Sequence, residues 1–214
     1  MKDIKRIELR ELFGSEKQQS LIGSEICVKG WVRTKRGNKN VSFIALNDGG
    51  CMQNLQVVAE ASNFEEELIK RITTGACLRV NGILSPSQGK GQSIELQATE
   101  IQIYGEADVN SYPLQKKGHS LEFLRDIAHL RPRTNTFSAV FRVRHAMAFA
   151  IHKYFNDRGF FYWHSPLITA SDCVGAGEVF QLTPLVLVNF PTDKQGNVDS
   201  SNDVYGKRTS LTVP

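Results

Sequence analysis

The amino-acid sequence predicts a protein of mixed β and α+β class, in which a small β-barrel precedes a long helix and further short strands. Between residues 25 and 104, short apolar runs of strand-like composition are separated by turns rich in Gly, Asn and Ser. Residues 134–159 instead carry apolar side chains at three- and four-residue steps, the spacing of a helix face. The two patterns indicate a β-rich front and an α+β rear.

Five strands are predicted in the front part, with a helix at residues 64–72 between the third and the fourth. The predicted strands are residues 26–32, 40–46, 55–59, 77–83 and 93–103. This order is the plan of the OB-fold, a five-stranded barrel that binds oligonucleotides. Another small β-barrel is the alternative, because strand number does not determine topology. Trp31 and Val32 are expected in the barrel core.

Four segments are predicted along the chain: an N-terminal arm (1–24), the barrel (25–104), a hinge (105–133) and an α+β segment (134–214). The arm is expected to serve packing, because its apolar residues suit a short helix laid against the first domain. Ser120 is expected to cap a short helix in the hinge, since a hydroxyl can accept a hydrogen bond from an otherwise unpaired backbone N–H.

The α+β segment begins with the long helix. Thr134 or Thr136 is expected to cap its start, and Gly159 suits the left-handed turn that ends a helix. The aromatic and β-branched run 160–168 is expected to form an edge strand. Residues 182–188 and a segment beginning at Leu211 are expected to form further strands.

Composition excludes several classes of protein. The chain has 214 residues, a net charge of +4 and a pI of about 8.9, which is compatible with a nucleic-acid partner without requiring one. The four cysteines have no C-x-x-C spacing, so neither a zinc site nor a disulfide framework is expected. No apolar run is long enough for a membrane span, and the first residues lack the apolar core of a signal peptide. A cytoplasmic location is therefore expected.

The candidate binding site lies in the barrel. Residues 29–39 include several Lys and Arg residues and no acidic residue. Phe43 and then Gln56 follow on the next two predicted strands. Cations for the backbone, an aromatic face for a base and an amide for its edge together suit single-stranded nucleic acid. The alternatives are a solvated hairpin for the charges and core packing for Phe43. The candidate residues are Arg33, Lys35, Arg36, Phe43 and Gln56.

The rear part resembles a known family. The segment that follows the long helix resembles motif 1 of the class II aminoacyl-tRNA synthetases. It contains a basic residue, a glycine, an aromatic pair and then a Pro with two apolar residues. These residues are Arg158, Gly159, Phe160, Phe161, Pro166, Leu167 and Ile168. Residues 129–134 are similar to the hinge of the subclass for aspartate, asparagine and lysine, and residues 169–180 are most similar to the asparaginyl type. The aspartyl type has Arg-Asp in place of Gly177-Glu178.

This resemblance implies a fold and a set of roles. It implies an OB-fold anticodon-binding domain, then the start of an antiparallel catalytic domain, with Arg158, Gly159, Phe160, Phe161 and Pro166 in a homodimer interface. In the family, the residue matching Phe43 stacks on the central anticodon base, and residues matching the arginine and Gln56 read its neighbours. The hinge of the family lies against the tRNA, which implies weaker phosphate contacts by Lys116, Lys117, Arg131 and Arg133.

The resemblance also implies an activity for the complete protein, namely ATP-dependent ligation of asparagine to its tRNA with Mg²⁺. Glu178 matches a residue of the amino-acid pocket, whereas Val174 replaces a family Glu. The arginines and carboxylates of motifs 2 and 3 are absent from this sequence. No catalytic and no metal-binding residue is therefore expected in this chain, which alone should be inactive. The alternatives are a non-catalytic tRNA- or single-strand-binding fragment and an aspartyl-type ligase.

Overall fold

The structure is a computed structural model that describes residues 4–87, 89, 91–171, 179–185, 188–189 and 191–212, without the side chains of residues 15–17. The chain divides into two compact units, Met1–Ala148 and Phe149–Pro214. Among the described residues, no helix is long and apolar enough to cross a membrane.

The first unit contains the predicted five-stranded barrel. Its strands are β1 (Glu25–Gly37), β2 (Val41–Asn47), β3 (Leu55–Glu60), β4 (Cys77–Pro86) and β5 (Ile94–Gly105). Helix α3 (Glu66–Arg71) lies between β3 and β4, as predicted. The strands close in the order β1-β2-β3-β5-β4, with β3 and β5 parallel and the other described pairs antiparallel. The OB-fold prediction is confirmed.

The barrel core follows from the alternation of side chains along each strand. Ile44 and Leu46 on β2 are completely buried, whereas Phe43 and Ala45, which alternate with them, are partly exposed. Leu78 and Leu96, from β4 and β5, are also completely buried. Full burial of such a side chain contributes about 1.5–3 kcal/mol, so the inward faces of the five strands supply the main stabilisation of this unit.

The prediction for Trp31 is wrong, whereas that for Val32 is confirmed. Val32 is 2% exposed and Trp31 is 38% exposed. Because Gly30 and Val32 point inward, strand alternation turns the intervening indole outward. There the guanidinium carbon of Arg133 lies 4.9 Å from the centre of the Trp31 ring. A large apolar side chain on a strand is therefore not by itself evidence for a core position.

Besides a register shift between Cys77 and Leu78 at the start of β4, two irregularities shape the barrel. A register shift between Val32 and Thr34 interrupts the pairing of β1 with β2, as in a β-bulge. A second shift follows Asn81, where the backbone of Gly82 approaches β5 so closely that a Cβ would collide with the carbonyl group of Gln97. Only glycine fits this crossing, because it has no side chain.

The N-terminal arm packs against the barrel, as expected. It forms two short helices, α1 (Leu9–Leu12) and α2 (Ser15–Leu21). Leu9 and Leu12 belong to the barrel core, with exposures of 1% and 0%. The backbone N–H of Ile7 donates to the carbonyl of Cys27 at 2.9 Å, which fixes the arm beside β1.

The hinge leads into the long helix. Ser120 caps α4 (Leu121–Asp126), because its hydroxyl accepts from the N–H of Phe123 at 3.2 Å. A 3-10 turn, Arg131–Arg133, precedes α5 (Asn135–Asn156). The hydroxyl of Thr134 accepts from the N–H of Phe137 at 3.3 Å, and Gly159 has φ +82°. The cap at Thr134 and the glycine turn after the helix are confirmed.

The second unit contains a small antiparallel sheet in the order β6-β8-β7, formed by β6 (Ile168–Thr169), β7 (Gln181–Leu182) and β8 (Thr209–Leu211). The prediction of a strand over 160–168 is wrong, because among the described residues ladder pairing begins only at Ile168. Within 182–188, only Leu182 is paired, and 186–187 lie outside the described residues. Extended, β-prone residues form a strand only where a neighbouring strand accepts their hydrogen bonds.

Candidate nucleic-acid interface

Phe43 lies on the outer face of the barrel. The side chains of its neighbours Ser42 and Ile44 point inward and are buried, and Phe43 itself is partly exposed. This position places the ring within reach of a ligand, so core packing does not account for it. An exposed aromatic ring on a barrel sheet is the element that stacks a splayed base.

Arg36 and Gln56 lie beside this ring. Arg36 pairs with Phe43 across the β1–β2 ladder, and its guanidinium carbon lies 5.8 Å from the centre of the ring. The Nη2 group of Arg36 donates to Oε1 of Gln56 at 3.2 Å. Three adjacent strands thus bring a cation, an aromatic face and an amide to one surface, the combination that the sequence predicted.

Glu95 also belongs to this site, although no sequence pattern singled it out. Gln56 pairs with Glu95 across the parallel β3–β5 ladder, and its Nε2 donates to Glu95 Oε2 at 3.3 Å. The hydroxyl of Ser87 donates to the same oxygen at 3.0 Å, and Gln97 Nε2 donates to Oε1 at 3.0 Å. The carboxylate therefore orients the Gln56 amide. The alternation of inward and outward side chains along β5 could have predicted that Glu95 points outward. Only the barrel topology places it beside β3.

An open groove of about 740 Å³ surrounds these side chains. The arm, the β2–β3 loop, the end of the β4–β5 turn and the hinge contribute to its walls, so the groove is built from distant parts of the sequence. Its described lining includes Phe13, Thr34, Arg36, Phe43, Met52, Asn54, Gln56, Gln92 and Lys116. We call it the Phe43 groove.

Arg33 and Lys35 lie outside the Phe43 groove. Arg33 sits at the β1 bulge, and its Nη2 donates to Oδ1 of Asn135 at 3.2 Å. The Nζ of Lys35 donates to the carbonyl of Ile69, beside α3. Burial lowers the pKa of Lys35, and burial is also the main cause that lowers the pKa of Arg33. The structure therefore separates these two cations from the aromatic ring.

The hinge cations have different surroundings. Lys116 lines both the Phe43 groove and a second cavity, whereas Lys117 and Arg133 line only the second cavity, together with Arg33. The guanidinium carbon of Arg131 lies 4.7 Å from the ring centre of Phe137, within the start of α5. Of the four predicted hinge contacts, only Lys116 is brought to the Phe43 groove.

In the second unit, Glu178 and Val174 lie outside the described residues. Arg158 is held against the helix, since its guanidinium carbon lies 3.6 Å from the ring centre of Tyr154. Phe160 and Phe161 are 62% and 95% exposed. Together with the aromatic residues after them, they border an open apolar cavity of about 860 Å³.

Comparison with known proteins agrees with this geometry. Residues 26–104 match the tRNA_anti-codon family model, described as an OB-fold nucleic acid binding domain. The asparagine–tRNA ligase of Parabacteroides distasonis is 58% identical over 213 residues, covering 100% of this chain and 45% of that relative. The asparagine–tRNA ligase of Porphyromonas gingivalis is 60% identical over 193 residues, covering 90% of this chain and 41% of that relative.

Solved structures show the same fold. The asparaginyl-tRNA synthetase of Pyrococcus horikoshii, complexed with asparaginyl-adenylate, has a TM-score of 0.73 at 18% identity, over 98% of this chain and 43% of that chain. The Entamoeba histolytica enzyme has a TM-score of 0.73 at 21% identity, over 99% of this chain and 43% of that chain. This chain spans less than half the length of these relatives.

Proposed function

We propose that this chain, which belongs to the asparagine–tRNA ligase family and corresponds to its N-terminal portion, binds the anticodon of an asparagine tRNA in the Phe43 groove. The observation that carries the proposal is the convergence of Arg36, Phe43 and Gln56 on the outer face of a nucleic-acid-binding barrel. The family supplies the substrate class, and the groove supplies the contacts.

Each side chain has a distinct role in this proposal. The Phe43 ring stacks on one splayed base, a contact available to any base because every base has a π-face. The Gln56 amide, oriented by Glu95, hydrogen-bonds a base edge and so selects among bases. Arg36 stabilises both, because its charge faces the ring and its donors reach the amide. Arg33 and Lys35 are proposed to act on the RNA backbone, outside the groove.

Replacement of the ring tests this proposal. Phe43→Ala in the full chain should weaken binding of an asparagine anticodon-arm RNA by about 1–3 kcal/mol, the contribution of one base–aromatic stack. Fluorescence anisotropy at fixed salt would measure it. Phe160→Ala is the matched control, because it removes an exposed ring from the second unit. Equal affinities for Phe43→Ala and the unsubstituted chain would exclude stacking by Phe43.

Anticodon specificity separates the candidate functions. An asparagine-specific protein should bind the asparagine arm more tightly than an aspartate arm, and Gln56→Ala should reduce that preference. Preference for the aspartate arm would indicate the aspartyl type. Equal binding of every single strand would indicate a general RNA-binding fragment.

The complete protein is proposed to ligate asparagine to its tRNA in two steps, through an adenylate formed from ATP, with Mg²⁺, in the cytoplasm. Among the described residues, no group of three or more His, Cys, Asp or Glu side chains is placed to hold a metal ion. Glu178 is proposed to contact the asparagine substrate.

The second unit is proposed to supply part of a homodimer interface. Phe160, Phe161 and Pro166 carry exposed apolar surface after α5, and an isologous contact with a second copy would bury it. Sedimentation of a full-length relative at micromolar concentration tests this proposal. A monomer under those conditions would contradict it.

A further inference from the structure

The N-terminal arm supplies a second aromatic ring to the Phe43 groove. Among the described residues that line this groove, Phe13 and Phe43 are the two with aromatic side chains. Phe13 directly follows α1 and packs against the barrel core, but it remains partly exposed. Because Phe43 comes from β2, the two rings reach the groove from different parts of the chain. Stacking of one base on Phe43 leaves the Phe13 ring without a ligand.

The groove is larger than one stacked base requires. Its volume of about 740 Å³ lies in the range of pockets that hold whole drug-sized ligands, about 300–1,000 Å³. Ala45 and Met52 add apolar surface to that of the two rings. Among the described residues, the rings of Phe13 and Phe43 make no contact with each other. They therefore offer two separate faces within one groove.

The arm is held to the barrel on both sides of Phe13. The N–H of Leu9 donates to Oδ2 of Asp48 at 2.9 Å, and the N–H of Phe13 donates to the carbonyl of Leu9 at 2.9 Å. The Asp48 side chain is only 3% exposed, so water competes little for this contact. Beyond Phe13, Nε2 of Gln18 donates to the hydroxyl of Ser93 at 2.7 Å, and Ser93 itself lines the groove. The Phe13 ring is thus positioned before a ligand arrives, which lowers the entropy cost of binding.

Amide groups in the groove suit the edge of a second base. Gln53 and Asn54 line the groove and are exposed. Among the described residues, neither of these two side-chain amides makes a hydrogen bond. An amide has both a donor and an acceptor, and a splayed base on an aromatic ring is recognised through hydrogen bonds to its edge. Since Gln56 is proposed to serve the base on Phe43, Gln53 and Asn54 remain available to another base.

We propose that Phe13 contacts the base adjacent to the one stacked on Phe43, so that the N-terminal arm forms part of the anticodon site. Consecutive bases share one phosphodiester link, so a base held on Phe43 brings its neighbour to the same groove. The inference rests on the proposed function and extends it beyond the barrel, because Phe13 precedes residues 26–104, which match the nucleic-acid-binding family model.

Replacement of the Phe13 ring by an aliphatic side chain tests the proposal. Phe13→Leu, in the full chain, keeps an apolar side chain against the core but removes the flat face. It should weaken binding of an asparagine anticodon-arm RNA about five- to tenfold, the lower part of the range for one base–aromatic stack, because the ring is only partly exposed. Phe13→Tyr retains the face and should bind like the unsubstituted chain. Fluorescence anisotropy at fixed salt measures both.

Ile7→Ala controls for a general loosening of the arm. Ile7 lies in the same arm and packs against the same core, but it is not among the described residues that line the groove. Its truncation should lower the melting temperature and leave the affinity for RNA unchanged. An affinity loss in Ile7→Ala equal to that in Phe13→Leu would overturn the inference, because the arm would then act only through stability.

Abasic RNA identifies the base that Phe13 contacts. The three anticodon bases and the base on either side of them are removed one at a time from the asparagine arm. Each loss of affinity is compared between the unsubstituted chain, Phe13→Leu and Phe43→Ala. A base that stacks on a ring should matter less once that ring is absent, which is the sign of direct coupling. The base coupled to Phe13 should be a neighbour of the base coupled to Phe43.

Equal affinities of Phe13→Leu and the unsubstituted chain would overturn the inference and leave the proposed function intact. Coupling of both rings to the same base would also overturn it, as would the absence of coupling between Phe13 and every base. Failure of the unsubstituted chain to bind any anticodon arm would overturn the proposed function and the inference together.

Discussion

The barrel and the second unit place their large apolar side chains in opposite environments. Ile44, Leu46 and Leu78 in the barrel have no exposed surface. In the second unit, Phe161 is 95% and Trp163 86% exposed. The barrel closes its ring of paired strands and encloses a core, whereas the sheet of the second unit consists of strands of two or three residues. Apolar composition thus gives a core only where the topology encloses it.

The largest expected difference between the barrel and the second unit is that between RNA binding and catalysis. We expect the chain to bind RNA through its barrel but not to activate asparagine, because the phosphate-stabilising groups of the complete ligase are not in its sequence. Removal of one such group typically costs about 10²–10³ in rate. Asparagine-dependent exchange of labelled pyrophosphate into ATP measures this step. Exchange above a no-protein blank that disappears in Glu178→Ala would contradict the prediction.

Core truncation should have the next largest effect. Leu78→Ala should lower the free energy of unfolding of the barrel by about 2–5 kcal/mol, because it removes a completely buried side chain and leaves a cavity. Phe161→Ala should change it by less than about 0.5 kcal/mol. Urea denaturation followed by Trp31 fluorescence, in a Trp163→Phe background, isolates the barrel signal. Similar losses in the two variants would mean that the barrel depends on the second unit.

Removal of the exposed aromatic rings in the second unit should weaken self-association of the chain. Combined Phe161→Ser and Trp163→Ser substitutions should raise the dissociation constant for self-association at least tenfold, since burial of one large apolar side chain contributes about 1.5–3 kcal/mol. Sedimentation velocity over a concentration series measures the effect. Val109→Ser, which removes an exposed apolar side chain from the first unit, is the control. An equal effect of the control would indicate non-specific association.

The smallest expected effect is local to the start of α5. Thr134→Ala should destabilise the first turn of the helix by about 1 kcal/mol, because the N–H of Phe137 loses its acceptor. Thr134→Ser should retain most of the cap. Hydrogen exchange should be faster for the first amides of α5 in the alanine variant and unchanged for the barrel strands. Faster exchange throughout the barrel would show that the cap supports the whole first unit.

Local sequence determined much of the fold. Short apolar runs bounded by turns rich in Gly, Asn and Ser identified all five barrel strands, because strand composition and turn residues act locally. The hydroxyls of Ser120 and Thr134 and the glycine at 159 identified helix ends, because capping and left-handed turns depend on the residue itself. Arg36, Phe43 and Gln56 were identifiable by residue type, because a cation, an aromatic ring and an amide together suit single-stranded nucleic acid.

Tertiary structure decided what depends on partners distant in the sequence. The parallel pairing of β3 with β5 brings Glu95 to Gln56, and no local pattern encodes that pairing. Arg33 lies at the bulge in β1 and donates to Asn135 at the start of α5, and strand alternation exposes Trp31 to Arg133. The aromatic run 160–166 has strand composition without a paired strand among the described residues. A residue's type sets its propensity, but hydrogen bonds and burial are contributed by neighbours that only the folded chain supplies.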